Sequence, residues 1–161
     1  MKISAMQEYG LRCILQVAAH KATSPLTVRD IAKREGLTHV YVAKILVTLR
    51  RANLVKSLRG VNGGYILSRP ATSISVADVL GALGRLDMGH NHCRRFPGTQ
   101  DQCTHIGNCG IRPVLGVLSQ YVYGFLSKLN LEHLLREESI VTQDVNELQA
   151  KLPPPIVRFP A

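Results

Sequence analysis

The chain has 161 residues, is 45% hydrophobic and carries a formal net charge of +9, a size that allows one compact domain with an appended element. Residues 1–70 hold twelve Lys/Arg against Glu8, Asp30 and Glu35, while residues 71–161 hold eight of each sign; an excess confined to one module implies a polyanionic partner, most simply nucleic acid. No run of about 18 apolar residues is available for a membrane-spanning helix. MKISAMQEYG lacks the apolar core of a secretory signal, so the expected location is the cytoplasm.

From Ala5 to His20, the residues Leu11, Ile14, Leu15 and Ala18 share one helical face, Ser4 is placed to cap it, and Cys13 packs beside the stripe. TSPL breaks this helix. Thr27 with Asp30 three residues later forms a capping arrangement, Ile31 and Ala32 supply a short apolar face, and Gly36 permits a tight turn. Thr38 then caps a second helix with Val42, Ile45, Leu46 and Leu49 at helical spacing. A short helix, a glycine turn and a longer basic helix make a helix-turn-helix. Two short runs, 54–58 and 65–67, flank Arg59-Gly60-Val61-Asn62-Gly63-Gly64, whose Asn-Gly pair favours a hairpin turn. A hairpin directly after a recognition helix is a wing.

Pro70 and TSIS end the wing, and SVADVLGALGRL follows as a helix of about three turns. Residues 89–110 form a cysteine loop. GIRPVLGVLSQYVYGFLSKL then reads as a long helix in which Ile111, Leu115, Leu118, Val122, Phe125 and Leu129 alternate in steps of four and three. Val114, Val117 and Tyr121 widen that seam, so the helix is expected to pack on its own domain and on a second copy. The proline-rich LPPPIVRFPA is expected to be disordered or loosely docked. The expected architecture is mainly α: a winged helix-turn-helix domain over 1–88 with a two-stranded β-wing, the cysteine loop over 89–110, a long C-terminal dimerisation helix over 111–135, and a partly disordered segment over 136–161.

With Val42, Ile45 and Leu46 facing the core, Thr38, His39, Tyr41 and Lys44 face outward and are the candidates for reading bases; Arg50, Arg51, Lys56 and Arg59 add cations, and Asn62 stands at the tip of the wing. For Arg50 and Arg51 the expected partners are phosphates.

Cys93, Cys103 and Cys109 lie within seventeen residues, separated by nine and five, in a stretch whose large apolar side chains are Phe96 and Ile106. In a reducing compartment such cysteines bind metal or sense redox state rather than form structural disulfides. The closely paired ligands of a structural zinc knuckle are absent. Three readings stay open on spacing alone: an iron-sulfur cluster with a fourth ligand from elsewhere, a zinc site completed by His90, His92 or His105, and a thiol-disulfide switch. Glu8 is a further candidate ligand, from the same or a partner subunit. No nucleophile-base motif, P-loop or dinucleotide fingerprint is present, so no enzyme activity is expected.

MKISAMQEYGLRCILQVAAH, the basic helix VYVAKILVTLRRANLVKS, LRGVNGGYILSRP, ISVADVLGAL and three cysteines ahead of a long helix together resemble the Rrf family of winged-helix regulators over about residues 1–135. The most specific part is Arg59-Gly60 followed by Gly63-Gly64-Tyr65. The resemblance implies a homodimeric regulator, a repressor of transcription that binds a double-stranded DNA operator. It also implies an iron-sulfur cluster, two-iron or four-iron, that reports redox state, nitric oxide or iron-sulfur supply. It sets Cys93, Cys103 and Cys109 at the family's cluster cysteines, Glu8 at an acidic position that some members use as a non-cysteine ligand, and Thr38, Tyr41, Lys44 and Arg59 on the recognition helix and wing. The first cysteine gap of nine is longer than in IscR-like and NsrR-like members, and no histidine follows Cys109 shortly.

Overall fold

The computed structural model describes residues 3–20, 24–60, 63–84 and 97–151. Helix α1 (Ala5–Ala19) starts on a reciprocal cap: the Ser4 hydroxyl accepts from the Gln7 backbone N–H, and the Gln7 side-chain oxygen accepts from that of Ser4, which satisfies two donors that a helix start leaves open. Cys13, Ile14 and Val17 give α1 its buried face. Helix α2 (Val28–Glu35) is capped by the Thr27 hydroxyl, which accepts from the Asp30 N–H and donates to the Asp30 carboxylate; that second bond holds the Asp30 carboxyl below its usual range. The helix ends at Gly36, and Thr38 starts helix α3 (His39–Arg51) two residues on. The helix-turn-helix and its caps therefore form as their sequence implies, and Val42, Ile45, Leu46 and Leu49 of α3 are wholly inside.

The wing consists of β1 (Val55–Leu58) and β2 (Gly64–Leu67), antiparallel, with Val55 opposite Leu67 and Leu58 opposite Gly64. Leu26 pairs with Tyr65 by two backbone bonds of 3.0 and 2.8 Å and ties the wing to the segment before α2. That approach leaves no room at Gly64, where a Cβ would lie 2.6 Å from the Leu26 carbonyl oxygen. Behind the wing, the Arg69 guanidinium donates to the Asn53 carbonyl at 3.1 Å, the Ser73 carbonyl at 2.8 Å and the Asp78 carboxylate at 3.1 Å. One side chain thus joins the turn after α3, the 3-10 turn Ala71–Ser73 and the start of helix α4 (Val76–Leu83).

Helix α4 lies across α1 at Gly10, where an added Cβ would be 2.1 Å from a Leu83 methyl group. It stops at Leu83 and is shorter than the three turns expected, because Gly84 takes an extended conformation. Helix α5 (Ile111–Leu126) is also shorter than the expected span to 135. The chain leaves it to bring Leu129 and Leu131 into the interior, with Val76 N–H bonded to the Leu129 carbonyl and Leu131 N–H to that of Ile74. Helices α6 (Leu131–Leu134) and α7 (Glu138–Lys151) follow. Within the segment 136–161, residues 138–151 are helical: Val145 and Leu148 pack on Val76, Leu80 and Leu129, which gives this stretch a reason to be helical. LPPPIVRFPA lies outside the described residues.

Replacing Gly64 by Ala sets a methyl group against the Leu26 backbone, which cannot rotate out of the way as a side chain can. The Gly64→Ala protein is expected to lose about 2 kcal/mol of stability, read as a lower urea midpoint; an unchanged midpoint would show that the Leu26–Tyr65 pairing does not hold the wing.

Candidate nucleic-acid interface and cysteine segment

Thr38, His39 and Lys44 are exposed along the free side of α3. The Thr38 hydroxyl already accepts from the Tyr41 N–H at 3.3 Å as the helix cap, so toward DNA it remains a donor. Arg50 and Arg51 are exposed in the last turn, and Arg50 donates to the Ser57 hydroxyl at 3.3 Å, bridging from α3 to β1. Lys56 and Arg59 are exposed on the wing, and Asn62 lies outside the described residues. Helix and wing thus set five cations, Lys44, Arg50, Arg51, Lys56 and Arg59, on contiguous elements, an arrangement suited to the phosphates flanking a groove.

Tyr41 departs from its expected outward direction. It is half-buried, and its ring meets that of Tyr9 edge to face at 6.0 Å between centroids. Arg12 lies over the other partner, 5.4 Å from the Tyr9 centroid, and donates to Glu35 at 2.7 Å. Glu35, with its side chain only 7% exposed, also accepts from Gln16 at 2.6 Å. A continuous line of contacts therefore runs from the end of α2 through α1 to the first turn of α3. The Arg12 guanidinium is bonded to Glu35, and the exposed Glu8 carboxylate is in no ion pair among the described residues. Sequence reasoning also missed Val40, an exposed apolar residue in the first turn of α3, although counting its angle around the helix from Val42, Ile45 and Leu46 sets it on the outer side.

Gln7, directly before Glu8, is buried, and its amide donates to the Leu80 carbonyl at 3.2 Å; Gly84, where the chain departs toward the cysteine segment, lies against the same side chain. Cys103 and Cys109 are partly exposed, and neither is in a disulfide. Two tight turns join them, closed by Ile106 N–H to the Cys103 carbonyl at 3.2 Å and Asn108 N–H to the His105 carbonyl at 3.3 Å. Gly110 begins α5 with no side-chain cap. Cys93 lies outside the described residues, as do His90 and His92; among the described residues no three of His, Cys, Asp or Glu come together as a metal site. Cys13 is a different kind of thiol: burial in the core pushes it up to about 12, so it packs as an apolar group.

A helical core whose third helix presents a basic face beside a two-stranded wing defines a winged-helix, DNA-binding transcription regulator. The chain belongs to the Rrf2 family, described as iron-dependent transcriptional regulators, whose profile matches residues 3–137. It is 31% identical over 140 residues to protein rrf2 of Nitratidesulfovibrio vulgaris, covering 87% of this chain and 91% of that one. Among solved structures it is similar to T. potens IscR, with a TM-score of 0.62, 25% identity and coverage of 96% and 93%. It is similar also to CymR, the global cysteine regulator of B. subtilis, with a TM-score of 0.61, 25% identity and coverage of 84% and 96%. The family resemblance and the winged-helix architecture expected from sequence both hold.

Iodoacetamide at mildly alkaline pH should modify Cys103 and Cys109 of the metal-free, reduced protein and spare Cys13 until the chain is unfolded, as read by mass spectrometry. Since folding raises the Cys13 pKa from 9.0 to about 12, its contribution to stability is complete below about 9 and disappears as pH climbs toward about 12; modification of the native Cys13 would contradict this. On the wing, Arg59→Ala should weaken binding to many duplex sequences alike and reduce the salt slope by about one unit. Unchanged affinity would remove the wing from the interface.

Proposed function

We propose that this chain is a homodimeric repressor whose grip on its operator is set by an iron-sulfur cluster held by Cys93, Cys103 and Cys109, with Glu8 as the fourth ligand. The observation that carries this reading is the pair of free, partly exposed thiols Cys103 and Cys109 on the segment leading into α5. Soft thiolate donors on a segment rich in turns suit a sulfide-bridged iron core, and the fourth position need not be cysteine. Glu8 supports the set by its place: the chain enters the cysteine segment from Gly84, which packs on Gln7, the residue before Glu8, and the Glu8 carboxylate has no competing ion pair among the described residues.

The residues around this segment have two tasks. Gln7 fixes where the segment starts relative to α1. Tyr9, next to Glu8, touches Tyr41 of the recognition helix, so a change in how the Glu8 side of α1 sits alters the footing of α3. When bound, the cluster would supply a charge and a set of sulfur and carboxylate bonds that depend on iron supply and oxidation. For the dimer, the support is an apolar stripe on α5, Ile111, Val114, Leu118 and Tyr121, exposed along steps of three and four. Ile111 and Leu118 belong to the expected seam and Val114 and Tyr121 to its widening, while Leu115, Val122 and Phe125 are half-buried, and Phe125 packs with Leu126 on the chain's own core.

Metal and sulfide content of oxygen-free protein tests the reading. Iron and acid-labile sulfide should be present in near-equal amounts in the wild type, fall by about tenfold or more in Cys103→Ser, and fall in Glu8→Ala. Zinc without sulfide, or neither metal, would overturn the cluster.

A further inference from the structure

Val40 is 82% exposed, above Ile111 at 66%, and among the described residues no large apolar side chain is more open to water. Nothing in the fold calls for it. It is the second residue of α3, roughly opposite the buried Val42, Ile45, Leu46 and Leu49, and a β-branched residue gains nothing there from helix propensity. Nor is it an isolated apolar side chain on a neutral surface: Thr38 and His39 precede it, and Lys44 stands one turn further along the same face.

From these placements we infer that Val40 is a specificity-determining residue that packs against the 5-methyl group of a thymine in the operator's major groove. The inference rests on α3 entering that groove by its first turn, as recognition helices do. The base edges in a major groove offer hydrogen-bonding atoms and one apolar group, the thymine methyl. An isopropyl group held outward by a capped helix can neither donate nor accept, so the methyl is its natural partner there. The polar neighbours take the other roles: the Thr38 hydroxyl and His39 bond base edges or phosphates, and Lys44 bonds a guanine edge or a phosphate.

The test begins with a duplex selected from a random-sequence library by the full-length protein, followed by replacement of each of its thymines in turn by deoxyuridine, which removes the methyl and keeps every hydrogen-bonding atom. One thymine in each half-site should matter. Its replacement should weaken wild-type binding about fourfold, the value of one methyl group withdrawn from water, and should leave Val40→Ala unaffected. Val40→Ala itself should bind the thymine duplex about fourfold or more weakly, with circular dichroism and thermal unfolding like those of the wild type, since Val40 is outside the core. A wild type indifferent to deoxyuridine at every position would overturn the proposal, as would equal sensitivity in Val40→Ala. If either result comes with binding that is still lost in Lys44→Ala, the thymine contact fails while the recognition helix keeps its place. If the library yields no retained duplex, the DNA-reading assignment falls and the thymine contact with it.

Discussion

A single buried amide governs how the two halves of this protein meet. The Gln7 side chain completes the cap of α1 with its oxygen and holds the end of α4 with its nitrogen, 3.2 Å from the Leu80 carbonyl. Three residues further on, Gly10 lets α4 come so close that Leu83 occupies the space a methyl group would need. Because a buried amide must bond both its donor and its acceptor or lose stability, α1 and α4 are fixed as one piece. α1 therefore touches both Gly84, through Gln7, and the recognition helix, through Tyr9 and Tyr41.

The reading head is separately braced. Its recognition helix has its inner face wholly in the core and its first turn pinned by the Thr38 cap, while Tyr41 leans on Tyr9 of α1. Arg12 covers Tyr9 and bonds the nearly buried Glu35, so α1, α2 and α3 share one polar and aromatic junction. Arg69 performs a similar service behind the wing. The outward surface that remains combines five cations with the exposed apolar side chains of Val40 and Leu58. Cations on helix and wing suit phosphates, which carry no sequence information, while base edges are read by side chains that enter a groove.

Much of this was legible from residue order. Caps such as Ser4, Thr27 and Thr38 are local devices whose partners sit three residues away, and the glycines of the wing reveal a hairpin for the same reason. What could not be read was non-local. Tyr41 looks outward when only its own helix is considered, and turns inward because Tyr9, thirty-two positions earlier, offers it a ring. Arg12 meets Glu35, twenty-three positions on, because α2 packs against α1. Phe125 and Leu126 of α5 are drawn to Val76 and Leu80, and helix α7 escaped notice because its few apolar residues acquire meaning only against that same cluster. Cys93 and Asn62, both chosen from sequence, lie outside the described residues.

In the proposed function the cysteine segment holds iron, and the state of its thiols changes the hold on DNA. The most direct measurement is fluorescence anisotropy of a labelled, selected duplex titrated with one oxygen-free preparation before and after its iron is removed, at fixed salt. The two dissociation constants should differ by about tenfold or more, within the range of ordinary coupling between two sites. Superimposable titrations, from protein whose iron loss has been verified, would contradict the claim.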